Sequence, residues 1–268
     1  MDNRPIGIFD SGVGGLSILN EVREQLPGED IIYLGDTARV PYGSRSKETV
    51  TQYAREATNF LRKQDVKAVI VACNTASALA LDTLVQENEG FSVIGVVEAG
   101  AKGAANHSKT GNIGVIGTEA TIRSQAYSVE VRKLLPQSVV IGIGCPLFVP
   151  IIEEGWTNSQ VATITAQHYL AGFKQYEIDT LILGCTHYPA LWSVIQETMG
   201  EKVRLINPAY ETAKQIKQLF RDKNMQSEKT DGGTVKYCVT DAPERFKRVG
   251  GLLVRDTIDQ ADYVDLLK

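Results

Sequence analysis

The chain has 268 residues, of which 43% are hydrophobic and 22% charged, and both proportions are ordinary for a soluble globular protein. Its formal net charge of -4 is not offset by a long basic run, so we expect no nucleic-acid-binding surface. No apolar run approaches the roughly 18 residues that a membrane span needs, so we expect no membrane partner either.

The N-terminal segment, MDNRPIGIFDSG, lacks a basic start followed by a long apolar stretch. We therefore expect no signal peptide and a cytoplasmic protein. In the cytoplasm the four cysteines, Cys73, Cys145, Cys185 and Cys238, should be reduced thiols. No two of them show C-x-x-C spacing, so we expect no structural zinc site and no bound metal.

Short apolar runs rich in β-branched residues recur along the chain and predict strands that are buried on both faces. In chain order they lie within residues 5–12, 30–37, 69–79, 91–97, 112–119, 138–145, 181–191, 203–209 and 234–240. Helical patterns lie between them. One spans residues 46–64 with Ser46 as its N-cap. Another spans residues 158–175 and places Val161, Ile164, His168 and Phe173 near one face. This alternation predicts right-handed βαβ units and parallel sheets.

The predicted strands occur as two similar sets. VIVACNTASAL (69–79) resembles LILGCTHYPAL (181–191), and three further runs have counterparts in the same order, at offsets of 107 to 112 residues. Buried strands of α/β proteins can look alike by chance, but the common offset favours duplication. We predict an α/β fold of two pseudo-symmetric domains with parallel sheets and the active site in the cleft between them. The first domain comprises residues 1–97 and 207–268, and the second comprises residues 98–206.

Three strands are predicted to end in polar triplets: DSG at 10–12, CNT at 73–75 and CTH at 185–187. Sites in open parallel sheets form at the carboxyl ends of strands, where backbone N–H groups at helix starts can also hold a carboxylate. If the two domains face each other, the two cysteines border one cleft. Such thiols suit inversion of a stereocentre that carries hydrogen, because a proton must leave one face and return to the other. A thiol with an ordinary pKa of about 8.5 can serve as acid or base.

Less specific interpretations of these residues stay open at this point. A cysteine at the end of a buried strand is commonly a core residue, and Asp10 could cap the helix that starts near Gly14. His187 could donate a structural hydrogen bond to a carbonyl. We interpret Cys145 and Cys238 as structural, because neither has polar neighbours of this kind.

Several motifs together resemble the glutamate racemases of bacteria: FDSGVGGLS, DTARVPYGSR, ACNTAS, CPLFVPIIEEG and LGCTHYPAL. The similarity runs from Ile6 to about Tyr210 and continues more weakly through the tail. It implies a cofactor-independent 1,1-proton transfer that interconverts L- and D-glutamate and supplies D-glutamate for peptidoglycan synthesis. Family members often dimerise, so a homodimer is possible. One departure is Asn207, where the family often has Asp.

The resemblance also implies the site residues. The acid/base pair is Cys73 and Cys185, with Cys185 acting on L-glutamate and Cys73 on D-glutamate. Their polar assistants are Asp10, Glu153 and His187. The implied substrate contacts are Asp10, Ser11, Tyr42, Gly43, Asn74, Thr75, Thr118, Thr121, Cys185 and Thr186.

Two other functions compete with this one. Aspartate racemases are similar, but typically carry Glu after the second Cys-Thr, so His187 favours glutamate. The third hypothesis is a non-catalytic two-lobed protein that closes on amino acids, with both cysteines merely buried.

Overall fold

A computed structural model describes residues 1–267 and shows alternating strands and helices. The strands are β1 (Ile6–Asp10), β2 (Ile31–Gly35), β3 (Ala68–Val71), β4 (Ser92–Gly95), β5 (Asn112–Gly117), β6 (Val139–Gly144), β7 (Thr180–Gly184), β8 (Arg204–Ile206), β9 (Val235–Val239) and β10 (Asp262–Tyr263). The helices are α1 (Leu16–Gln25), α2 (Lys47–Lys63), α3 (Asn74–Glu87), α4 (Val97–His107), α5 (Glu119–Ser124), α6 (Ala126–Leu134), α7 (Phe148–Glu153), α8 (Gln160–Leu170), α9 (Trp192–Met199), α10 (Pro208–Asp222) and α11 (Pro243–Gly250). Short 3-10 turns cover Thr37–Arg39, Tyr42–Ser44, Ala171–Phe173 and Tyr188–Leu191.

The strands form two sheets in which all pairings are parallel. The first sheet has the order β10-β9-β2-β1-β3-β4, and the second has the order β6-β5-β7-β8. The order β2-β1-β3-β4 therefore recurs as β6-β5-β7-β8, which matches the repeat seen in the sequence. The predicted α/β fold with parallel sheets is confirmed.

Each sheet is covered on both faces by apolar clusters. In the first sheet, the strands that end near the cleft are buried throughout, as the β-branched runs predict. The tail strands β9 and β10 extend the first sheet beside β2. Leu253, also in the tail, packs against a cluster of each sheet. The division into domains at residues 97 and 207 stays a prediction.

The predicted helix at residues 46–64 is confirmed as α2, and the Ser46 side chain accepts a hydrogen bond from the Thr49 backbone N–H. The departure at Asn207 is also accounted for locally. The Asn207 side chain accepts from the Ala209 N–H and caps α10, with Pro208 at its first turn.

The predicted inner face of the helix at residues 158–175 is wrong. Val161 and Ile164 are 47% and 56% exposed, and His168 is exposed as well. The buried face of α8 consists of Ala162, Ala166 and Leu170, while Phe173 is buried in the following 3-10 turn. Small alanines let the helix lie close to the sheet, whereas the larger aliphatic residues suggested the opposite face. Within residues 1–267, no helix combines the length and apolarity needed to cross a bilayer.

Candidate active site

A cavity of about 490 Å³ lies where strands of both sheets end. The predicted site residues that line it are Ser11, Tyr42, Gly43, Cys73, Asn74, Thr75, Thr118, Glu153, Cys185, Thr186 and His187. The other two, Asp10 and Thr121, lie behind this lining and bond to it. Asp10 is within 3.5 Å of the Thr186 hydroxyl, and Thr121 bonds to Thr118. The structure therefore brings all the predicted site residues together.

Cys73 follows β3 and occupies the N-cap position of α3. Its Sγ lies 3.8 Å from the Ser11 Oγ, and the residue is 5% exposed. Burial raises the pKa of the Cys73 thiol to about 12, and the nearby charge of Asp10 adds to this effect. The Ala76 N–H and the Ser11 hydroxyl oppose it in part. Cys73 is therefore protonated at rest near neutral pH and ready to act as an acid.

Cys185 follows β7 and has an imidazole as its partner. Its Sγ lies 3.9 Å from the His187 Nδ1, and the His187 Nε2 lies 3.3 Å from the Glu153 Oε1. Burial alone would lower the pKa of His187. The hydrogen bonds to Cys185 and Glu153 outweigh it, and the pKa rises to about 10. The raised pKa favours the protonated form of His187, which places a positive charge beside the Cys185 Sγ.

Glu153 joins His187 to the C-terminal tail. Its Oε1 faces His187, and its Oε2 accepts from Arg245 of α11 at 2.9 Å. The hydrogen bond from His187 is the main cause that lowers the pKa of Glu153, and the charges of His187 and Arg245 add to it. Glu153 therefore stays ionised and stabilises the imidazolium.

Asp10 ends β1 and is fully buried. Its Oδ2 accepts from the Gly12 N–H at 2.9 Å, so the carboxylate organises the glycine turn that follows the strand. Burial raises the pKa of Asp10, while the cationic His187 acts in the opposite direction. The Asp10 carboxylate also accepts a hydrogen bond from the backbone N–H of Gly15, the N-cap position of α1, so it bonds at the start of this helix as considered from sequence.

The glycine turn after β1 lies directly against the CTH segment of the second sheet. A Cβ on Gly14 would lie 2.3 Å from the Thr186 Oγ1 and 2.4 Å from the His187 Nδ1. Any side chain at Gly14 would therefore displace these two residues. The absence of a Cβ allows the two halves of the site to approach this closely.

Polar side chains also connect the two sheets on the opposite side of the cavity. The Thr75 Oγ1 lies 2.9 Å from the Thr118 Oγ1 and 3.3 Å from the Thr121 Oγ1. The Tyr127 hydroxyl donates to the Asn74 Oδ1 at 2.5 Å. Thr118 also caps α5 by accepting from the Thr121 N–H.

The loop after β2 supplies Tyr42 and Gly43. The Tyr42 hydroxyl bonds to the buried Asp36 carboxylate, which fixes the ring in place. A Cβ on Gly43 would lie 2.7 Å from the Thr118 Cβ, so this position requires the close approach that glycine allows.

The sequence did not identify every residue that lines the cavity. The additional ones are Gly12, Val40, Pro41, Ser44, Glu119, Pro146, Val149, Pro150 and Arg245. Among these, Glu119 is exposed at the cavity edge. Arg245 comes from the distant tail and carries no local motif, so no sequence signal pointed to it. Cys145 and Cys238, interpreted as structural, are both buried.

The described residues contain no group of three or more His, Cys, Asp and Glu side chains that could hold a metal ion. What the site does contain is one thiol from each half, each with its own polar partners. This arrangement can carry out acid/base chemistry on two sides of a bound molecule.

Comparisons with known proteins agree with this chemistry. The family model described as Asp/Glu/Hydantoin racemase matches residues 6–216. A glutamate racemase of Geobacter metallireducens is 51% identical over 263 residues, which cover 98% of this chain and 97% of that protein. The crystal structure of a glutamate racemase from Francisella tularensis in complex with D-glutamate has a TM-score of 0.93 at 39% identity, with 99% of both chains covered. A glutamate racemase isoform of Bacillus anthracis has a TM-score of 0.95 at 37% identity, again with 99% of both chains covered. The resemblance seen in the sequence is confirmed, and the chain belongs to the Asp/Glu/hydantoin racemase family of isomerases.

Proposed function

We propose that this enzyme interconverts L- and D-glutamate without a metal or an organic cofactor. The observation that carries the proposal is the pair of buried thiols, Cys73 and Cys185, one at a strand end of each sheet and both on the same cavity. The full-length similarity to glutamate racemases, up to 51% identity, supports glutamate as the substrate.

The reaction is a proton exchange at Cα. In the L-to-D direction, the Cys185 thiolate takes the α-proton, and the electron pair left on Cα delocalises into the adjacent carboxylate. The Cys73 thiol then donates its proton to the opposite face. In the D-to-L direction the two roles are exchanged, so each turnover leaves one thiol protonated and the other ionised.

The neighbours of the two sulfurs support unequal resting states. His187, held by Glu153, lies beside Cys185, where a cationic imidazole can stabilise the negative charge that this sulfur carries in the proposed mechanism. Within residues 1–267, no cationic side chain hydrogen-bonds to Cys73, and its raised pKa favours the thiol. This pairing suits a resting enzyme that is ready to act on L-glutamate. For the D-enantiomer, the proton must first move from Cys73 to Cys185.

Substrate carboxylates would be held by hydroxyl, amide and backbone donors. Asn74 and Thr75 begin α3, and backbone N–H groups at the start of a helix lack intrahelical partners and can bind an anion. Ser11 and Thr186 offer hydroxyls on the other side of the cavity. We assign the remaining contacts to Asp10, Tyr42, Gly43, Thr118 and Thr121.

The biological setting is also part of the proposal. We infer that the enzyme acts in the cytoplasm and supplies D-glutamate for peptidoglycan synthesis. We also infer that it can form a homodimer. These inferences are supported by the family resemblance and can be tested by complementation of a D-glutamate auxotroph and by light scattering.

The direct test follows the circular dichroism signal of L-glutamate, D-glutamate and L-aspartate, each incubated separately with the enzyme. We expect the signal of both glutamate enantiomers to decay to zero and the signal of aspartate to stay unchanged. Racemisation of aspartate alone would mean that aspartate, and not glutamate, is the substrate. No change with any of them, in a protein that binds glutamate, would favour a binding protein with buried cysteines.

A further inference from the structure

A buried tyrosine of the second half reaches across the cavity wall to a predicted substrate-binding residue of the first. The Tyr127 hydroxyl donates to the Asn74 Oδ1 at 2.5 Å. Tyr127 is 2% exposed and Asn74 is 3% exposed, so water does not compete for this bond. Asn74 nevertheless borders the cavity, whereas Tyr127 does not belong to its lining.

This bond decides which end of the Asn74 amide is free. An asparagine amide has an acceptor oxygen on one side and two N–H donors on the other. Because the oxygen is engaged by Tyr127, the N–H donors are left for other partners. Reversing the amide would leave the buried tyrosine proton without this acceptor, which is unfavourable.

Packing fixes the tyrosine ring itself. A Cβ on Gly184 would lie 3.0 Å from the Tyr127 Cε2, and a Cβ on Gly100 would lie 3.1 Å from its Cε1. The ring is therefore held between the last residue of β7 and helix α4. It has little freedom to follow Asn74 if that side chain turns.

We propose that Tyr127 is a positioning residue, which holds Asn74 so that its amide N–H groups face a carboxylate of the substrate. A reversed amide would present an oxygen to that carboxylate and repel it. The inference rests on the proposed function, because it takes an amino-acid carboxylate as the ligand. It assigns a role in substrate binding to a residue that does not touch the substrate.

The test is Tyr127→Phe, which removes the hydroxyl and keeps the ring. We expect KM to rise about tenfold, equivalent to about 1.4 kcal/mol of binding, with kcat little changed. The kcat/KM ratios must fall equally for L- and D-glutamate, because the equilibrium between enantiomers is unaffected by the enzyme. The matched control is Thr180→Val. It removes another buried hydroxyl, which donates a hydrogen bond to the Asp179 carboxylate. Thr180 is the first residue of β7 and lies at the opposite end of the strand from Cys185. It should lower the melting temperature without raising KM.

A double-mutant cycle separates positioning from a general structural effect. In an Asn74→Ala background, Tyr127→Phe should have no further effect on KM. An unchanged KM in Tyr127→Phe would overturn the inference, and so would an equal rise in KM with and without the Asn74 side chain. Both outcomes leave the proposed function intact if the wild type racemises glutamate. If the wild type does not racemise glutamate, the proposed function is wrong, and the wild-type assay shows this before any variant is made.

Discussion

Gly14→Ala should inactivate the enzyme through the residues of the opposite half of the site. The added Cβ would lie 2.3 Å from the Thr186 Oγ1, and 2.4 Å and 2.6 Å from the His187 Nδ1 and Cε1. Ordinary contacts between such atoms are about 3.5 Å, so His187 must move by about 1 Å. A displacement of that size in a catalytic group can reduce the rate about 100-fold. We therefore expect kcat to fall about 100-fold.

The assay is racemisation of L-glutamate followed by circular dichroism, with the melting temperature measured on the same samples. The control is Gly144→Ala, since a Cβ there would meet its nearest neighbour, the Glu119 Cγ, at an ordinary 3.5 Å. This variant should retain nearly full activity. In a His187→Ala background, Gly14→Ala should cost less than it does alone, because the crowded ring is gone and only the contact with Thr186 remains.

Wild-type turnover in Gly14→Ala would contradict this expectation, because it would mean that the two halves of the site are not held at the distances described. An equal loss of activity with and without the His187 ring would also contradict it. The damage would then come from Thr186 or from the turn itself rather than from His187.

His187→Ala should lower kcat on the order of 100-fold while changing KM much less, because the imidazole supports proton transfer at Cys185. A change confined to KM, in full steady-state kinetics, would instead place His187 in substrate binding. The raised pKa of His187 makes a further prediction about stability. A group whose pKa is higher in the folded state stabilises it fully below its unfolded value of about 6.5, and this contribution is lost as pH rises towards about 10. Urea unfolding should therefore show stability falling more between pH 6.5 and 8.5 in the wild type than in His187→Ala, and parallel curves would count against a charged His187. Dialysis against EDTA should leave turnover unchanged, and loss of activity that zinc or magnesium restores would disprove a metal-free mechanism.

The two-sheet fold could be predicted from the sequence because each buried parallel strand leaves a local signal, a short apolar run rich in β-branched residues. Each apolar run could be recognised on its own, and the common offset linked the two sets. The strand ends then located Cys73 and Cys185, since the carboxyl ends of parallel strands meet at one edge.

The sequence could not predict contacts between distant segments. Arg245 reaches Glu153 from a helix near the C-terminus, and Tyr127 reaches Asn74 from the opposite half. Neither residue lies in a recognisable motif, because each acts through another side chain whose position only the folded chain defines. The packing of the two halves against each other thus decides which residues assist the site.

The inner face of α8 was mispredicted for a different reason. This helix has apolar residues on more than one side, so periodicity alone does not determine the buried face. The close packing of Ala162 and Ala166 determines it instead. Val161 and Ile164 are left on the exposed side.

The most direct test of the two-thiol mechanism separates the two faces of Cα. A glutamate analogue with chlorine at C3 loses chloride once its α-proton is removed, and the resulting enamine hydrolyses to an oxo acid and ammonia. This half-reaction needs one base and no second acid at Cα. We predict that Cys185→Ala releases chloride only from the D-configured analogue, through Cys73, and that Cys73→Ala releases it only from the L-configured one, through Cys185. Neither variant should racemise glutamate. Equal release from both enantiomers by either variant would contradict the assignment of one thiol to each face.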